Sequence, residues 1–405
     1  MFPDLTRARR SLRASPLVDE RLSVLVVVGF GWFLLLGVRL TVPALFPSIR
    51  AEFAFSNTIA GSVYTILLSV AALLQLPGGV VADRVGGRSV LTLGFAAGLA
   101  GTTLLAVAPG VPVFLLGIVL FGVGTGVYGT PRVTVLSAVY PDRDGTAIGI
   151  CSAAGNVGTT ILPVVAGVLA AVVGWQYGFA FAVPLFAVGT LLAWRVVPPD
   201  AGKAEDTGSF LEDLPGLVAG LWNREVVLAT AIMLVMFFVY QGLTAFLTTY
   251  LVTAKGLSTQ LAATLFGVFF AGGVVAQVVG GNLGDRFGKR RTMALLLLAS
   301  AATLFALPFV SGFATLVPAV LALSIQLGNW PIVFSYTVAA LPDDGQASGL
   351  GLLRTFYLLV GSLGSTAVGV MADLNLFDEA FFALAALTLL AALFCLVLPV
   401  PAGKD

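Results

Sequence analysis

Three arginines, Arg39, Arg132 and Arg354, lie inside long apolar segments rather than in the polar stretches between them. At about 1.5 Å of rise per helical residue, Arg39 stands roughly 25 Å from the start of its segment, and the other two stand roughly 12 Å from an end. A guanidinium there costs several kcal/mol unless it is paired or hydrated, so each arginine is a candidate for a functional site.

No Asp or Glu lies near the middle of any apolar segment, so the sequence offers these arginines no buried acid. An anionic ligand is the simplest partner, because the planar guanidinium fork fits the oxygens of carboxylate, nitrate or phosphate. A structural interpretation stays open for each arginine, in which the side chain extends to water or bonds helix carbonyls.

Polar residues near the arginines extend the candidate site. Helical spacing places Tyr128 beside Arg132 and Tyr357 beside Arg354, although both rings could also simply fill space. The predicted substrate-binding residues are Arg39, Arg132, Arg354, Gln241, Tyr128, Tyr357 and Asn329. Further polar candidates are Tyr240, Gln326, Trp330 and Asn156. Interruptions such as Asn-Trp-Pro at 329–331 predict bent helices and close packing.

The composition excludes several kinds of chemistry. The chain has no histidine, and its two cysteines, Cys151 and Cys395, have no partner at metal or redox spacing. Zinc sites, Ser-His-Asp triads and histidine proton relays are therefore not expected, and neither is a cofactor. An enzyme within the membrane would need a nucleophile–base pair or metal ligands, which leaves an enzyme as a remote alternative. The net charge of +1 gives no reason to expect a nucleic-acid partner.

The chain is too apolar for a water-soluble protein. Of its 405 residues, 58% are hydrophobic and 10% are charged, against about 25% charged in a typical soluble domain. A bilayer span needs roughly 20 apolar residues in a helix, and lipid must therefore be the solvent. Twelve runs meet this length: 22–47, 58–82, 88–108, 111–140, 146–171, 176–197, 226–251, 259–284, 291–311, 313–341, 347–372 and 378–400.

The runs divide the chain into two sets of six helices. We predict a basic tail at 1–21, a first bundle at 22–197, a linker at 198–225, a second bundle at 226–400 and a short tail at 401–405. Sixteen lysines and arginines fall on the side of the amino terminus, and only Arg50 and Lys255 fall on the opposite side. The positive-inside rule then places both termini and the linker in the cytoplasm, for a protein of the inner or plasma membrane.

The two sets of helices repeat each other in sequence. A shift of 202 residues superimposes LLQLPGGVVADRVGGRS (73–89) on VAQVVGGNLGDRFGKRR (275–291), pairs Gln75 with Gln277, Ser56 with Ser258, and aligns Arg39 with Gln241. Parallel six-helix repeats are typical of transporters, in which two bundles rock about a site between them.

The repeated loop resembles that of the major facilitator superfamily, whose pattern is G-x-x-x-D-[RK]-x-G-[RK]-[RK]. The resemblance covers nearly the whole chain, with Gly87 as the only departure in the loops. It implies an all-α membrane fold of twelve helices in two pseudo-symmetric bundles, a small-molecule substrate, and a monomer in the lipid bilayer. It also implies a conformational latch in the loops, with Asp83 placed to cap a neighbouring helix. The latch residues are Gly79, Asp83, Arg84, Gly86 and Arg88, with Gly281, Asp285, Arg286, Gly288 and Arg290.

Departures from the family's drug exporters narrow the expected function. Ile118 stands where those exporters carry an arginine in the fourth helix, Pro163 is displaced in the fifth, and no intramembrane carboxylate is present. We therefore expect a secondary active or facilitative carrier of a small organic or inorganic anion, by uniport or exchange. The alternatives are a drug efflux carrier and, less favoured, a sensor that does not transport. Residues 155–158 (Gly-Asn-Val-Gly) faintly resemble nitrate carriers, but no substrate follows from this.

The charge distribution gives a test of orientation. Single cysteines at Gly202 and at Lys255 should react with an impermeant thiol reagent from opposite sides of the membrane, because the charge bias places these positions in loops of opposite sidedness. Labelling of both positions from one side would show that the helix count is wrong.

Overall fold

In a computed structural model, the described part of the chain contains twelve helices that are long and apolar enough to cross a membrane. The structure describes residues 16–203, 223–341 and 346–399, and these contain no strand. The first six spans are α1 (Glu20–Ala44), α2 (Asn57–Val85), α3 (Gly87–Val107), α4 (Val111–Val139), α5 (Asp144–Val172) and α6 (Tyr177–Val196). The second six are α7 (Arg224–Thr253), α8 (Thr259–Phe287), α9 (Lys289–Phe309), α10 (Phe313–Ala340), α11 (Gly349–Asp373) and α12 (Phe377–Val397).

Each predicted apolar run overlaps one of these helices, which confirms the predicted number and fold class. A further helix, Phe46–Phe53, joins α1 to α2. The bundle limits stay predictions, and most of the 198–225 linker and of both tails lies outside the described residues. Serine caps confirm one consequence of the repeat, since Ser56 accepts from the Ile59 amide and Ser258 from the Leu261 amide at the starts of α2 and α8.

Two equivalent helices, α4 and α10, are broken near their middle. In α4 the helix Val111–Gly129 ends before Pro131 and resumes as Pro131–Val139. In α10 the turns tighten to a 3-10 helix at Ser324–Asn329 before Trp330–Ala340. Proline has no amide hydrogen and removes one helical hydrogen bond, and Pro131 in α4 and Pro331 in α10 stand at these interruptions. The bends position Thr125, Gly129 and Trp330 at the centre of the molecule.

Within each half, a glycine allows two helix backbones to touch. A Cβ at Gly158 of α5 would lie 2.1 Å from the Phe33 carbonyl oxygen of α1. A Cβ at Gly364 of α11 would lie 2.1 Å from the Phe238 carbonyl oxygen of α7. Helices in lipid associate through such close contacts, because lipid gives no hydrophobic drive for two apolar helices to pack. The two contacts are equivalent, so the repeat extends from sequence to packing.

The two halves meet at one end of the bundle. We call the end that carries the loops 86–88 and 288–291 the basic end, and the other the far end. Towards the far end the Thr65 hydroxyl lies 2.8 Å from those of Ser365 and Thr366, joining α2 to α11. Thr248 of α7 donates to the Pro43 carbonyl of α1 at 2.8 Å. Among the described residues, the hydrogen bonds between helices of the two halves all lie in the far-end portion of the helices.

The carboxylate of Asp373, at the last residue of α11, closes the far end. Its Oδ1 accepts from the Asn57 backbone N at 2.7 Å and from Asn57 Nδ2 at 2.9 Å. Its Oδ2 accepts from the Thr58 backbone N at 2.8 Å and from Thr58 Oγ1 at 2.7 Å. A carboxylate at a helix amino terminus satisfies free amides and complements the helix dipole. This acid of the second half therefore ties it to α2 of the first.

Replacing Asp373 should open the far end. We expect Asp373→Ala to shift the equilibrium towards far-end-open states by about tenfold or more, because four hydrogen bonds to a charged group are lost. Spin labels at Val173 and Ser311, in far-end loops of different halves, should report a population with longer distances.

The matched control is Asp378→Ala. Asp378 is also a far-end acid, but it accepts from the Tyr250 hydroxyl at 2.5 Å within its own half. An unchanged distance distribution in Asp373→Ala, or an equal change in the control, would contradict a closing role for Asp373.

Candidate functional site

A cavity of about 270 Å³ lies between the two halves. Residues from eight helices line it, four from each half, so both bundles contribute a wall; the helices are α1, α2, α4, α5, α7, α8, α10 and α11. Its polar lining residues are Arg39, Gln75, Thr125, Asn156, Thr159, Tyr240, Gln277, Arg354 and Tyr357. Within the part of the chain that the structure describes, no Asp or Glu lines it. Two of the three predicted arginines therefore face one cavity, one from each half.

Arg39 lines the cavity from α1, five residues before the helix ends. Its Nε is buried and has no hydrogen-bond partner. Tyr64 of α2 and Tyr240 of α7 are close enough to interact electrostatically with the guanidinium. The Tyr64 hydroxyl is also buried without a partner. This region thus holds a fixed positive charge beside a hydroxyl group whose hydrogen-bonding capacity is unused.

Arg354 lines the cavity from α11, on the wall opposite α1. Tyr357, one helical turn further along, also lines the cavity and interacts electrostatically with Arg354. The structure therefore has Tyr357 beside Arg354, as helical spacing predicted. Among the described residues the one ion pair is Lys203–Asp200, outside the cavity, so neither cavity arginine is neutralised by a carboxylate.

Arg132 is not brought to the cavity. It is buried behind Trp32, with its guanidinium carbon 4.0 Å from the centroid of the indole, and Nη1 donates to Cys151 Sγ at 3.7 Å. A cation on an indole face is stabilised by the ring's electron density. Trp32 itself lines the cavity. Arg132 therefore supports the cavity wall. The sequence had predicted either contact with a ligand or a side chain that extends to water or bonds helix carbonyls, and neither role included this arrangement.

Three more predicted binding residues lie away from the cavity. Tyr128 is fully buried, donates its hydroxyl to the Val28 carbonyl at 2.9 Å, and packs edge-on against Phe95. Gln241 and Asn329 are buried, and both amide groups lack hydrogen-bond partners. Helical spacing suggested Tyr128, the repeat suggested Gln241 and the Asn-Trp-Pro interruption suggested Asn329, and none of these signals shows which neighbouring side chains cover a residue.

Several cavity residues were absent from the predicted set. They include an amide pair, Gln75 and Gln277, which the 202-residue repeat had already aligned. The alignment of these polar residues on α2 and α8 could have identified the pair, because the site of such a transporter lies between its repeats. Three aromatic residues were also omitted, Trp32, Phe237 and Phe270; they line the walls together with Trp330 and Tyr240, which the sequence had given as further candidates.

The latch residues lie at the basic end, and each loop contacts its own half. Arg88 Nε donates to the Val197 carbonyl at the end of α6, at 2.5 Å. Arg290 Nε donates to the Cys395 carbonyl at the end of α12, at 2.9 Å. Gly86 and Gly288 both adopt positive φ, 88° and 86°, which glycine tolerates best. The remaining latch residues Gly79, Arg84, Gly281 and Arg286 lie in or beside the last turns of α2 and α8.

The two latch acids make no hydrogen bond within the described part of the chain. Asp83 is half-buried and Asp285 is exposed. The capping contact expected for Asp83 is therefore not formed here. In this structure the hydrogen bonds between helices of the two halves lie towards the far end, and the described residues form none between the halves at the basic end.

A family model described as Major Facilitator Superfamily matches residues 23–328 and 256–405. The chain belongs to this superfamily of membrane transporters, as its repeated loops indicated. It is similar to the fosmidomycin resistance protein of Escherichia coli (strain K12), with 26% identity over 340 residues that cover 82% of this chain and 81% of the relative. It is also similar to the probable nitrate/nitrite antiporter NarK1 of Thermus thermophilus, with 30% identity over 300 residues, 69% of this chain and 66% of the relative.

Solved structures share the fold at lower identity. A bacterial homologue of the human lysosomal transporter Spinster, in an inward-facing and occupied conformation, superimposes with a TM-score of 0.76 at 18% identity, covering 95% of this chain and 97% of that one. The nucleoside transporter NupG gives a TM-score of 0.76 at 15% identity, covering 94% and 99%. The comparisons thus establish a multi-pass membrane transporter and leave its substrate open.

The latch acids should control rate and not affinity. We expect Asp83→Asn and Asp285→Asn to slow transport severalfold in proteoliposomes while ligand affinity stays within about twofold, because neither acid lines the cavity and both act on the equilibrium between conformations. The measurements are initial uptake of a labelled anion that the wild type carries and its binding to purified protein.

Asp142→Asn is the control, an exposed acid in a basic-end loop outside the motif. A large loss of affinity in either latch variant, with normal expression, would count against a latch.

Proposed function

We propose that this protein is a secondary active or facilitative carrier that moves a small organic or inorganic anion across the membrane by alternating access. Arg39 is the principal recognition residue, and Arg354 is its partner from the other half. The observation that carries this proposal is that two guanidiniums line a cavity to which the residues described in the structure contribute no carboxylate. An anion in the cavity would supply the negative charge that the protein does not.

Hydrogen-bond donors near the arginines support an anion. The Tyr240 and Tyr357 side chains line the cavity, each in electrostatic range of one guanidinium. Thr125, Thr159, Asn156 and the Gln75–Gln277 pair add neutral polar groups to the same walls. Ligand sites are typically apolar with a few placed polar groups that fix orientation, and this lining fits that description.

The position of the cavity between the repeats supports alternating access. The far end is closed by Asp373 and by the α2–α11 hydroxyl contacts, whereas the latch loops of the basic end each contact their own half. Rocking of two halves about a central site exposes it to each side in turn. From the charge bias we place both termini and the basic end in the cytoplasm of a cell-membrane protein.

The coupling follows from the absence of acids in the cavity lining. A carboxylate-driven proton symport needs an acid that titrates beside the substrate, and among residues 16–203, 223–341 and 346–399 neither Asp nor Glu lines the cavity. Uniport or anion exchange therefore fits better, with any proton carried by the substrate itself. The similarity to a probable nitrate/nitrite antiporter agrees with an anionic substrate.

Drug efflux is the second candidate. The similarity to a fosmidomycin resistance protein over 82% of this chain and the aromatic cavity walls favour it. The two candidates differ in what the cavity arginines must do. An exporter of cationic or neutral drugs would lose nothing when Arg39 is neutralised, whereas an anion carrier would lose its main recognition group.

Substitution of Arg39 tests the proposal. We expect Arg39→Lys to weaken anion binding by about tenfold, because the charge stays but the bidentate fork is lost, and Arg39→Gln to nearly abolish it. Binding of nitrate, phosphate, acetate and benzoate to purified protein, and uptake of the bound anions into proteoliposomes, are the measurements.

The control is Arg291→Gln, which removes an exposed arginine at the basic end and should leave binding unchanged. Normal anion transport by Arg39→Gln protein would refute the proposal. So would a wild type that moves only cationic or neutral compounds.

A further inference from the structure

We infer that the substrate is a carboxylate carried on a flat aromatic body of one or two rings, with the carboxylate at Arg39 and the body between the aromatic walls of the cavity. This inference rests on the proposed function, from which it takes the anionic ligand and its recognition by the cavity arginines. It adds the chemistry of the rest of the ligand, which charge alone does not define.

The apolar share of the lining argues against a bare inorganic ion. The cavity walls carry these apolar side chains: Trp32, Leu36, Leu68, Ala71, Phe237, Phe270, Leu327, Trp330 and Leu358. Nitrate or phosphate would contact the guanidiniums and leave these walls facing water. An apolar body attached to the anion would cover them, and burial is worth about 25 cal/mol for each Å² of apolar surface removed from water.

The second-half wall is built from rings in mutual contact. The Phe237 ring lies 6.0 Å from that of Trp330 and 5.7 Å from that of Tyr357, and Tyr240 lies 6.0 Å from Trp330, all near edge-to-face. Each ring holds its neighbour in one orientation, so the wall is preformed. A flat ligand ring gains from stacked or edge-on contacts with such rings beyond the gain from burial alone.

The first-half wall has a ring that is held from behind. Trp32 is fixed by the Arg132 guanidinium at 4.0 Å, and Gly155 leaves the space its indole occupies, since a Cβ there would lie 2.4 Å from Trp32 Cδ1. The cavity is therefore bounded by aromatic side chains on both sides. This also gives the buried Arg132 a task that needs no contact with the ligand.

The volume sets the size of the body. At about 270 Å³ the cavity is near the lower limit of small-molecule sites, which span about 300–1,000 Å³. One or two rings with a carboxylate fit this space, whereas a polycyclic drug does not. The Gln75 and Gln277 side chains also line the cavity, and an amide can both donate and accept hydrogen bonds. These two residues could therefore bond a ring nitrogen or hydroxyl of the ligand.

Calorimetry on the purified full-length protein tests the inference with benzoate, nicotinate, acetate, nitrate and the neutral benzamide. We expect benzoate or nicotinate to bind at least about tenfold more tightly than acetate and nitrate, and more tightly than benzamide. Trp330→Ala should reduce the aromatic acid's affinity by about tenfold and leave acetate within about twofold. Trp330→Phe, which keeps a ring, should restore most of the loss.

The matched control is Phe334→Ala, one turn further along the same helix, where the side chain is 42% exposed on the outside of the bundle. Retained acetate binding shows that Trp330→Ala is folded; if it is not, Trp330→Phe and Phe237→Leu give the same comparison. The inference is wrong if nitrate or acetate binds as tightly as both aromatic acids, and the anion proposal then still stands. If benzamide matches benzoate and Arg39→Gln changes neither, the proposed function itself fails.

Discussion

The arrangement of this protein depends on guanidiniums that lie inside a bundle of apolar helices without carboxylates to neutralise them. An arginine at mid-membrane depth costs about 3 kcal/mol even when the surroundings relax. That cost is lowest where water or an anion can reach the group, and the cavity provides such a place for Arg39 and Arg354. Arg132 is stabilised differently, by an indole face and a thiol, and needs no cavity.

The repeat defines the backbone features that the two halves share, and the polar residues that differ between the halves define the proposed chemistry. The shared features include the serine caps of α2 and α8, the positive-φ glycines of the two loops and the Gln75–Gln277 pair, all related by the 202-residue shift. The chemistry is asymmetric. Arg39 aligns with an uncharged residue, and Asp373 closes the α2–α11 contact, while the equivalent α5–α8 contact rests on small residues such as Gly167 against Ala263. The two halves can rock because their backbones are related by symmetry. The polar residues need not be symmetric, because one substrate site needs only one set of them.

The number of helices, and the presence of Arg39, Arg354 and Tyr357 on helices that line one cavity, could be predicted from the sequence because segment length and charge are local properties. The wrong predictions concern which side of a helix lies against the cavity. Gln241 aligned with Arg39, yet its neighbour Tyr240 lines the cavity, so the 202-residue register does not carry through to α7. Tyr128 was assigned to a ligand, whereas its hydroxyl bonds the Val28 carbonyl of another helix. Spacing along one helix gives a face, and only the packing of other helices decides what covers it.

The two cavity arginines also link binding to movement. They belong to different halves, and in a space of low dielectric two like charges repel, which opposes the approach of the walls that carry them. In the proposed mechanism, an anion that reached both guanidiniums would reverse the sign of that interaction, because each guanidinium would attract the shared ligand. Such a ligand would favour conformations in which the halves lie close together around it, whereas an empty cavity would favour those in which they lie apart. This differential affinity for two states is what a ligand must have to shift a conformational equilibrium. The proposed recognition by arginines from both halves would thus give the carrier a physical reason to close on its substrate and to relax once the substrate leaves.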